Sequence, residues 1–423
     1  MLFLAAATLF SPLIAQNLNE PPDGKVYFGA WLDTADSAAG ALDGDRPVKF
    51  NQRMGFNASV FQYAQDLPIP AGSFSFPIEQ IEATGTDALI YLTVYPRPSL
   101  DVADADIQLL ALQLAKINAS GRQVVMRFGP EMNGTFQSKC RELELLVQTK
   151  LPRGQQPTAF IILWKRVFEA IKTIAPLTAM VWAPSSGKPF LTSGNGYPYG
   201  SLKATGADLL LLDTNRDGTV NSLDDPYSPY YPGDAYVDWI GMSIYHYGSV
   251  SPWQDNVVTP SGFFESLVND HGFYQSYAVA KGKPMMVAET GAAFHVDRPA
   301  GVGELAVKQT FWKSWMTDSV FLSKYVKIKL VCLFEFLKFE EITLRDFRIS
   351  NSTLIRNAFI ADFKAGGVST RYISGKYIAP NTIIPTSGSN VRPATGTNSS
   401  ALLVGWNRNS ILVAAFIFAC FFQ

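Results

Sequence analysis

Between residues 25 and 367 the chain repeats one plan: a short apolar strand, a loop, then a stretch with helical periodicity. Eight strand candidates fall at residues 25–33, 56–64, 88–96, 123–131, 179–184, 237–245, 284–289 and 328–336. Among the segments between them, Leu109-Leu110, Leu112 and Leu114-Ala115 predict one apolar helix face before Gly121. Phe160, Leu163-Trp164, Val167-Phe168 and Ile171 predict a second, and Phe311-Trp312 with Trp315 a third. These rings at helical spacing read as core. Strand–helix alternation predicts a parallel sheet covered by helices. Eight units over this length predict an α/β fold, a (β/α)8 TIM barrel in a single catalytic domain, with its site at the C-terminal ends of the strands.

The ends of the chain carry other signals. Residues 1–15 are apolar and end in Ile14-Ala15, as in a secretory leader; Pro12 argues against a buried helix there. Residues 380–398 are rich in Pro, Ser, Thr, Asn and Gly and predict a stalk. Residues 399–423 give small residues, a spacer and an apolar tail from Ile411 to Phe422. This is the layout of a GPI-attachment signal removed on maturation, and the tail is short for a transmembrane helix. The barrel itself is expected over residues 25–372. The protein is thus expected to be secreted and held at the cell surface or wall, meeting the membrane only through the anchor.

A net charge of −1 argues against a nucleic-acid partner held by phosphate contacts. Aromatic residues make up 13% of the chain, enough to build a core and leave faces for sugar rings. With three His and three Cys, no zinc cluster stands out, and no cofactor is expected for catalysis. Cys140 and Cys332 can pair in an oxidising compartment, or Cys332 can stand as a buried thiol.

Two glutamates carry the chemistry. Glu131 ends the run Val124-Val125-Met126-Arg127-Phe128-Gly129-Pro130-Glu131, and Glu289 ends Pro284-Met285-Met286-Val287-Ala288-Glu289. Carboxylates at the ends of buried strands are unusual unless paired. Two of them facing one cleft match retaining glycoside hydrolysis, which places an acid and a nucleophile about 5–5.5 Å apart. Alternation along the strand turns Arg127 into the same pocket, where it can hold a carboxylate ionised.

The motifs Arg127-Phe128-Gly129-Pro130-Glu131-Met132-Asn133-Gly134 and Lys283-Pro284-Met285-Met286-Val287-Ala288-Glu289-Thr290-Gly291 resemble those of clan A glycoside hydrolases, most closely family 26. Val181-Trp182-Ala183-Pro184 and Asp238-Trp239-Ile240-Gly241-Met242-Ser243-Ile244-Tyr245 resemble strands five and six of that family. The resemblance spans residues 26–372. It implies Glu131 as acid/base and Glu289 as nucleophile, with Arg127, Asn133 and Tyr245 beside them. It implies β-mannan as the first substrate, with mixed-linkage β-glucan and β-xylan as alternatives, acted on by a monomer. Two departures stand out: Pro130 takes the place of the His usual before the acid/base, and residues 137–152 form an unfamiliar charged insertion. They keep open a non-catalytic, wall carbohydrate-binding role. Trp31, Trp182, Phe136 and Tyr247 stand at or beyond strand ends as candidate sugar platforms, and His246 as a candidate pocket residue.

A separate loop, Asp213-Thr214-Asn215-Arg216-Asp217-Gly218-Thr219-Val220-Asn221-Ser222-Leu223-Asp224, sets oxygen ligands at positions 1, 3, 5, 9 and 12 around a central Gly. Asp213, Asn215, Asp217, Thr219, Asn221 and Asp224 are thus candidate ligands of a structural Ca²⁺.

Overall fold

The computed structural model describes residues 17–34, 44–70, 75–134, 153–186, 202, 204–249, 253–340 and 342–378. Eight parallel strands form the barrel: β1 (Val26–Leu32), β2 (Val60–Leu67), β3 (Leu89–Pro96), β4 (Val124–Phe128), β5 (Thr178–Trp182), β6 (Trp239–His246), β7 (Met285–Ala292) and β8 (Ile328–Glu335). Each pairs with the next, and β8 returns to β1 with Tyr27 opposite Leu330 and Leu32 opposite Glu335. Closure leaves no open edge in the barrel. The fold is the expected (β/α)8 barrel, and all eight predicted strands are present, with β2 beginning four residues later than its predicted start.

Side-chain alternation divides the core in two. Val60, Leu89, Tyr91, Val125, Val181, Trp239, Met286, Leu330 and Cys332 fill the barrel. Phe28, Met126, Phe128, Trp182, Met242 and Val287 face outward and pack under the helices. The helix Pro157–Ile174 buries Phe160, Leu163, Trp164, Val167 and Ile171, as its spacing predicts, and Trp164 donates to Tyr236 O at 2.7 Å. The helix Asp104–Ala119 buries Ile107, Leu110, Ala111, Leu114 and Ile117 instead of the whole predicted leucine run. Leu109 and Leu112 are 46% and 58% exposed, because they sit outside the 100°-spaced stripe.

The segment before β1 closes the bottom of the barrel. Leu18 packs against the inner core and its carbonyl accepts from Trp239 Nε1 at 2.8 Å. Asn19 Nδ2 donates to Val124 O and Leu177 O, at 2.8 and 3.1 Å. Where the described chain ends, Lys376 and Asp87 exchange two backbone-linked bonds of 2.7 and 2.9 Å. The leader, the stalk, the anchor signal, Phe136, Cys140 and residues 137–152 lie outside the described residues. Among the described residues, no helix is long and apolar enough to cross a membrane.

Candidate active site

The site forms at the C-terminal mouth of the barrel, around Arg127. Val125 lies in the inner core, so Arg127, two residues on, also points inward. It is fully buried. Its Nη1 donates to Glu289 Oε1, and its Nη2 donates to Ser243 Oγ at 2.7 Å and stands 3.8 Å from Glu131 Oε1. One guanidinium thus lies between the two glutamates that sequence singles out.

Glu289 owes its direction to a β-bulge. Along β6 and β7 the register runs Met242 to Val287, then Ser243 to Glu289, which leaves Ala288 as the extra residue. Against β8 it runs Val287 to Val331, then Thr290 to Leu333. Met286 and Ala288 already face the barrel interior, so strict alternation would turn Glu289 outward. The bulge re-aims it into the mouth. There Tyr245 donates its hydroxyl to Glu289 Oε2 at 3.0 Å. Both of these donors, the Arg127 guanidinium and the Tyr245 hydroxyl, are groups from which a carboxylate accepts. Burial and the adjacent glutamates raise the proton affinity of the Tyr245 phenol, so it stays a donor.

Glu131 is set differently. The chain leaves β4 through Gly129 at φ +52°, where a Cβ would come within 2.9 Å of Phe160. Glu131 itself adopts φ +53°, a left-handed backbone that non-glycine residues rarely take and that concentrates at functional sites. Its N–H donates to Ala183 O at 3.0 Å, and its carbonyl accepts from Gly134 N at 2.9 Å, so the turn is pinned to the end of β5. Burial first, then the negative charge of Glu289, raises the proton affinity of its carboxyl; Arg127 and the Ser243 hydroxyl work against them.

The other expected site residues divide. Asn133 is buried and bound at both ends of its amide to Ser185, at 3.0 and 2.8 Å; it staples the β4 and β5 loops. Trp31 is half-buried at the mouth, edge-on to Phe334 and Phe336 at 5.5 and 5.2 Å. It joins Tyr245, Tyr247 and Phe347 in an aromatic wall beside Glu289. Trp182 is not at the mouth: it faces outward from β5, fully buried against Tyr231, Phe273 and Tyr277, with Nε1 on Tyr230 O at 2.9 Å. His246 also points away from the pocket, because it continues the outward series Ile240, Met242, Ile244. Its ring packs on Phe263 and its Nε2 lies 3.1 Å from Val257 O. Both corrections follow from the two-residue period, which sends these side chains under the helices.

Sequence reasoning passed over Tyr95 and Ser243. Tyr95 follows Tyr91 and Thr93 on the inward face of β3, and burial with the charge of Glu289 raises its phenol. Ser243 lies between Trp239 and Tyr245 in the same inward series of β6. Counting by twos from either buried aromatic would have found both.

In the 213–224 loop the side chains accept from the loop's own backbone. Asp213 takes the N–H groups of Asp217 and Gly218, at 3.1 and 2.9 Å, and Asp217 takes that of Thr219 at 2.8 Å. Asp224 is buried and takes those of Thr214 and Asn221 at 2.7 and 2.8 Å. Asn215 Oδ1 accepts from Asp217 N and Asn221 Oδ1 from Leu223 N; Thr219 contributes its carbonyl to Asn221. Among the described residues, no three His, Cys, Asp or Glu side chains are gathered to hold a metal. Cys332 is a buried free thiol within the barrel, 3.3 Å from Gln62 Oε1.

No protein-family model matches the chain, and no curated protein matches it in sequence. Among solved structures it is similar to a Cellulomonas fimi endo-β-1,4-mannanase double mutant, with 16% identity over 83% of this chain and 72% of that one and a TM-score of 0.47. It is also similar to the catalytic domain of the Bacillus sp. JAMB-750 GH26 endo-β-1,4-mannanase, with 14% identity over 83% and 87% and a TM-score of 0.46. For GH26C from Muricauda sp. the values are 12%, 83%, 87% and 0.46. The functional reading therefore stands on the site's own residues.

Proposed function

We propose that this chain is a retaining glycoside hydrolase that cleaves a β-linked polysaccharide. The observation that carries the reading is the placement of Arg127 between two glutamates with opposed environments. Glu289, met by the Arg127 guanidinium and the Tyr245 phenol, is the nucleophile. It attacks the anomeric carbon while Glu131, whose proton affinity burial and Glu289 raise, gives its proton to the departing glycosidic oxygen. A glycosyl ester on Glu289 results. Glu131, now ionised, takes a proton from water as that water attacks the ester carbon; the sugar leaves with retained configuration, and both carboxyls return to their starting states. The half-buried Trp31 and Tyr247 offer ring faces beside the nucleophile.

The sequence resemblance puts β-mannan first among substrates. A panel of β-mannan, mixed-linkage β-glucan and β-xylan, assayed by release of reducing ends, tests the reading. Glu289→Ala should abolish turnover, and azide should then yield an inverted glycosyl azide. Glu131→Ala should retain more activity on substrates with good leaving groups, and azide should give a product of retained configuration. Near-wild-type hydrolysis by both variants would refute the two-carboxylate mechanism.

The termini support secretion and a GPI anchor at the cell surface; release from cells by a phosphatidylinositol-specific phospholipase tests that placement. Calcium in the 213–224 loop is a brace for the approach to β6 in this reading. A cation there would have to take carboxylates now bound to the loop's own N–H groups.

A further inference from the structure

We propose that Ser243 is a positioning residue for the acid/base, holding one nitrogen of Arg127 and directing its own proton at Glu131. The inference rests on the glycosidase reading and adds a residue to it. A serine hydroxyl has one proton and two lone pairs. Ser243 Oγ accepts from Arg127 Nη2 at 2.7 Å, and a guanidinium cannot accept in return. The proton of Ser243 is therefore free for another acceptor. Arg127 Nη1 and the Tyr245 hydroxyl already serve Glu289, whereas Glu131 Oε1 lies on the same Nη2 that Ser243 holds, 3.8 Å away. Ser243 is buried, so water does not compete freely for that proton.

The backbone supports the same assignment. Ser243 stands opposite Glu289 across the bulge and bridges to Ser185 at the end of β5. Ser185 in turn holds Asn133, two residues beyond Glu131. One position on β6 is thus tied to both glutamates, to one by register and to the other through the loop that carries it.

The consequence is a balance. Glu131 must hold a proton to act as acid, and then stand as an anion to act as base. Burial and Glu289 favour the protonated form; Arg127, the Ser243 hydroxyl and Lys338 favour the anion. Among the described residues, Tyr95, Tyr245 and Tyr247 also feel its charge. Removing the hydroxyl takes away one interaction that favours the anion. The high-pH limb of kcat/KM, where the acid loses its proton, should then move upward in Ser243→Ala. The expected size is on the order of one pH unit, the tenfold change in proton affinity that a charge-assisted hydrogen bond supports. Ser243→Thr keeps the hydroxyl and should restore the wild-type limb, while Ser243→Cys, a weak donor, should fall between. The same midpoint is read without activity from the ¹³C carboxyl titration of Glu131, assigned by its loss in Glu131→Gln. A carboxyl midpoint that stays put or moves down in Ser243→Ala overturns the proposal. Failure of the wild type to cleave any glycan would instead overturn the glycosidase reading and leave this titration decisive for Ser243.

Discussion

Arg127 offers the sharpest test of how the site is built. Its guanidinium is fully buried and bound to Glu289 and Ser243. Replacing it by methionine keeps much of the volume but leaves Glu289, itself 8% exposed, without its cation. Breaking a buried pair from one side costs about 3–5 kcal/mol, because the remaining charge is desolvated and uncompensated. In a domain of this size that corresponds to a fall in melting temperature on the order of 5–10 °C. The second half of the experiment is Glu289→Gln in the Arg127→Met background. If the penalty is the orphaned carboxylate, neutralising it restores part of the loss, and the double variant is more stable than the sum of the singles by about 1–3 kcal/mol. Thermal unfolding of the four proteins at neutral pH measures the cycle. Additive single effects, or an Arg127→Met protein within about 1 kcal/mol of wild type, would show that this guanidinium and Glu289 do not form a coupled pair.

Three other outcomes follow from the same geometry. Tyr245→Phe removes a bond of 3.0 Å to Glu289 and should lower kcat about 10- to 100-fold, the equivalent of one hydrogen bond to a charged group, while the fold persists by circular dichroism. Glu131→Gln should raise the melting temperature near neutral pH. Folding raises the proton affinity of Glu131, so wild-type stability is full below the unfolded value and is lost as pH rises through the folded one; the gain should vanish in acid, and a gain that persists there would refute the cause. If the 213–224 loop takes Ca²⁺, a chelator should lower the melting temperature of wild type and leave Asp213→Ala/Asp217→Ala unaffected; equal melting curves with and without chelator would reject the metal.

The fold was legible because a parallel barrel writes itself twice. Strands buried on both faces read as continuous apolar runs, and the covering helices carry the 3.6-residue period between them. Phe160, Trp164 and Ile171 show that period plainly and are all buried. The helix Asp104–Ala119 is less legible, since leucines at 109, 110, 112 and 114 spread around the axis and only Leu110 and Leu114 of them reach the core. The closing segment at Leu18 and Asn19 left no periodic trace. Its bonds go to carbonyls more than 100 residues away, and such contacts have no local signature.

The site shows where a two-residue count succeeds and where it breaks. Counting from Val125 places Arg127 in the pocket, and counting from Trp239 places Tyr245 there and sends His246 outward. The aromatic at Trp182 attracts attention for its chemistry, yet its parity puts it under the helices beside Tyr231 and Phe273. On β7 the same count gives the wrong face for Glu289, since Met286 and Ala288 are both inside. Only the extra residue against β6 turns the carboxylate toward Arg127. A bulge is a property of two strands in register, so no reading of β7 alone could supply it. What marked Glu289 in sequence was its charge at the end of an apolar run. What turns it into the mouth is a backbone irregularity, matched across the mouth by the left-handed turn at Glu131. Both glutamates reach Arg127 through departures from regular strand geometry. Deleting Ala288 would set Glu289 directly after the outward-facing Val287, so regular alternation alone should keep it turned toward Arg127 and the barrel closed.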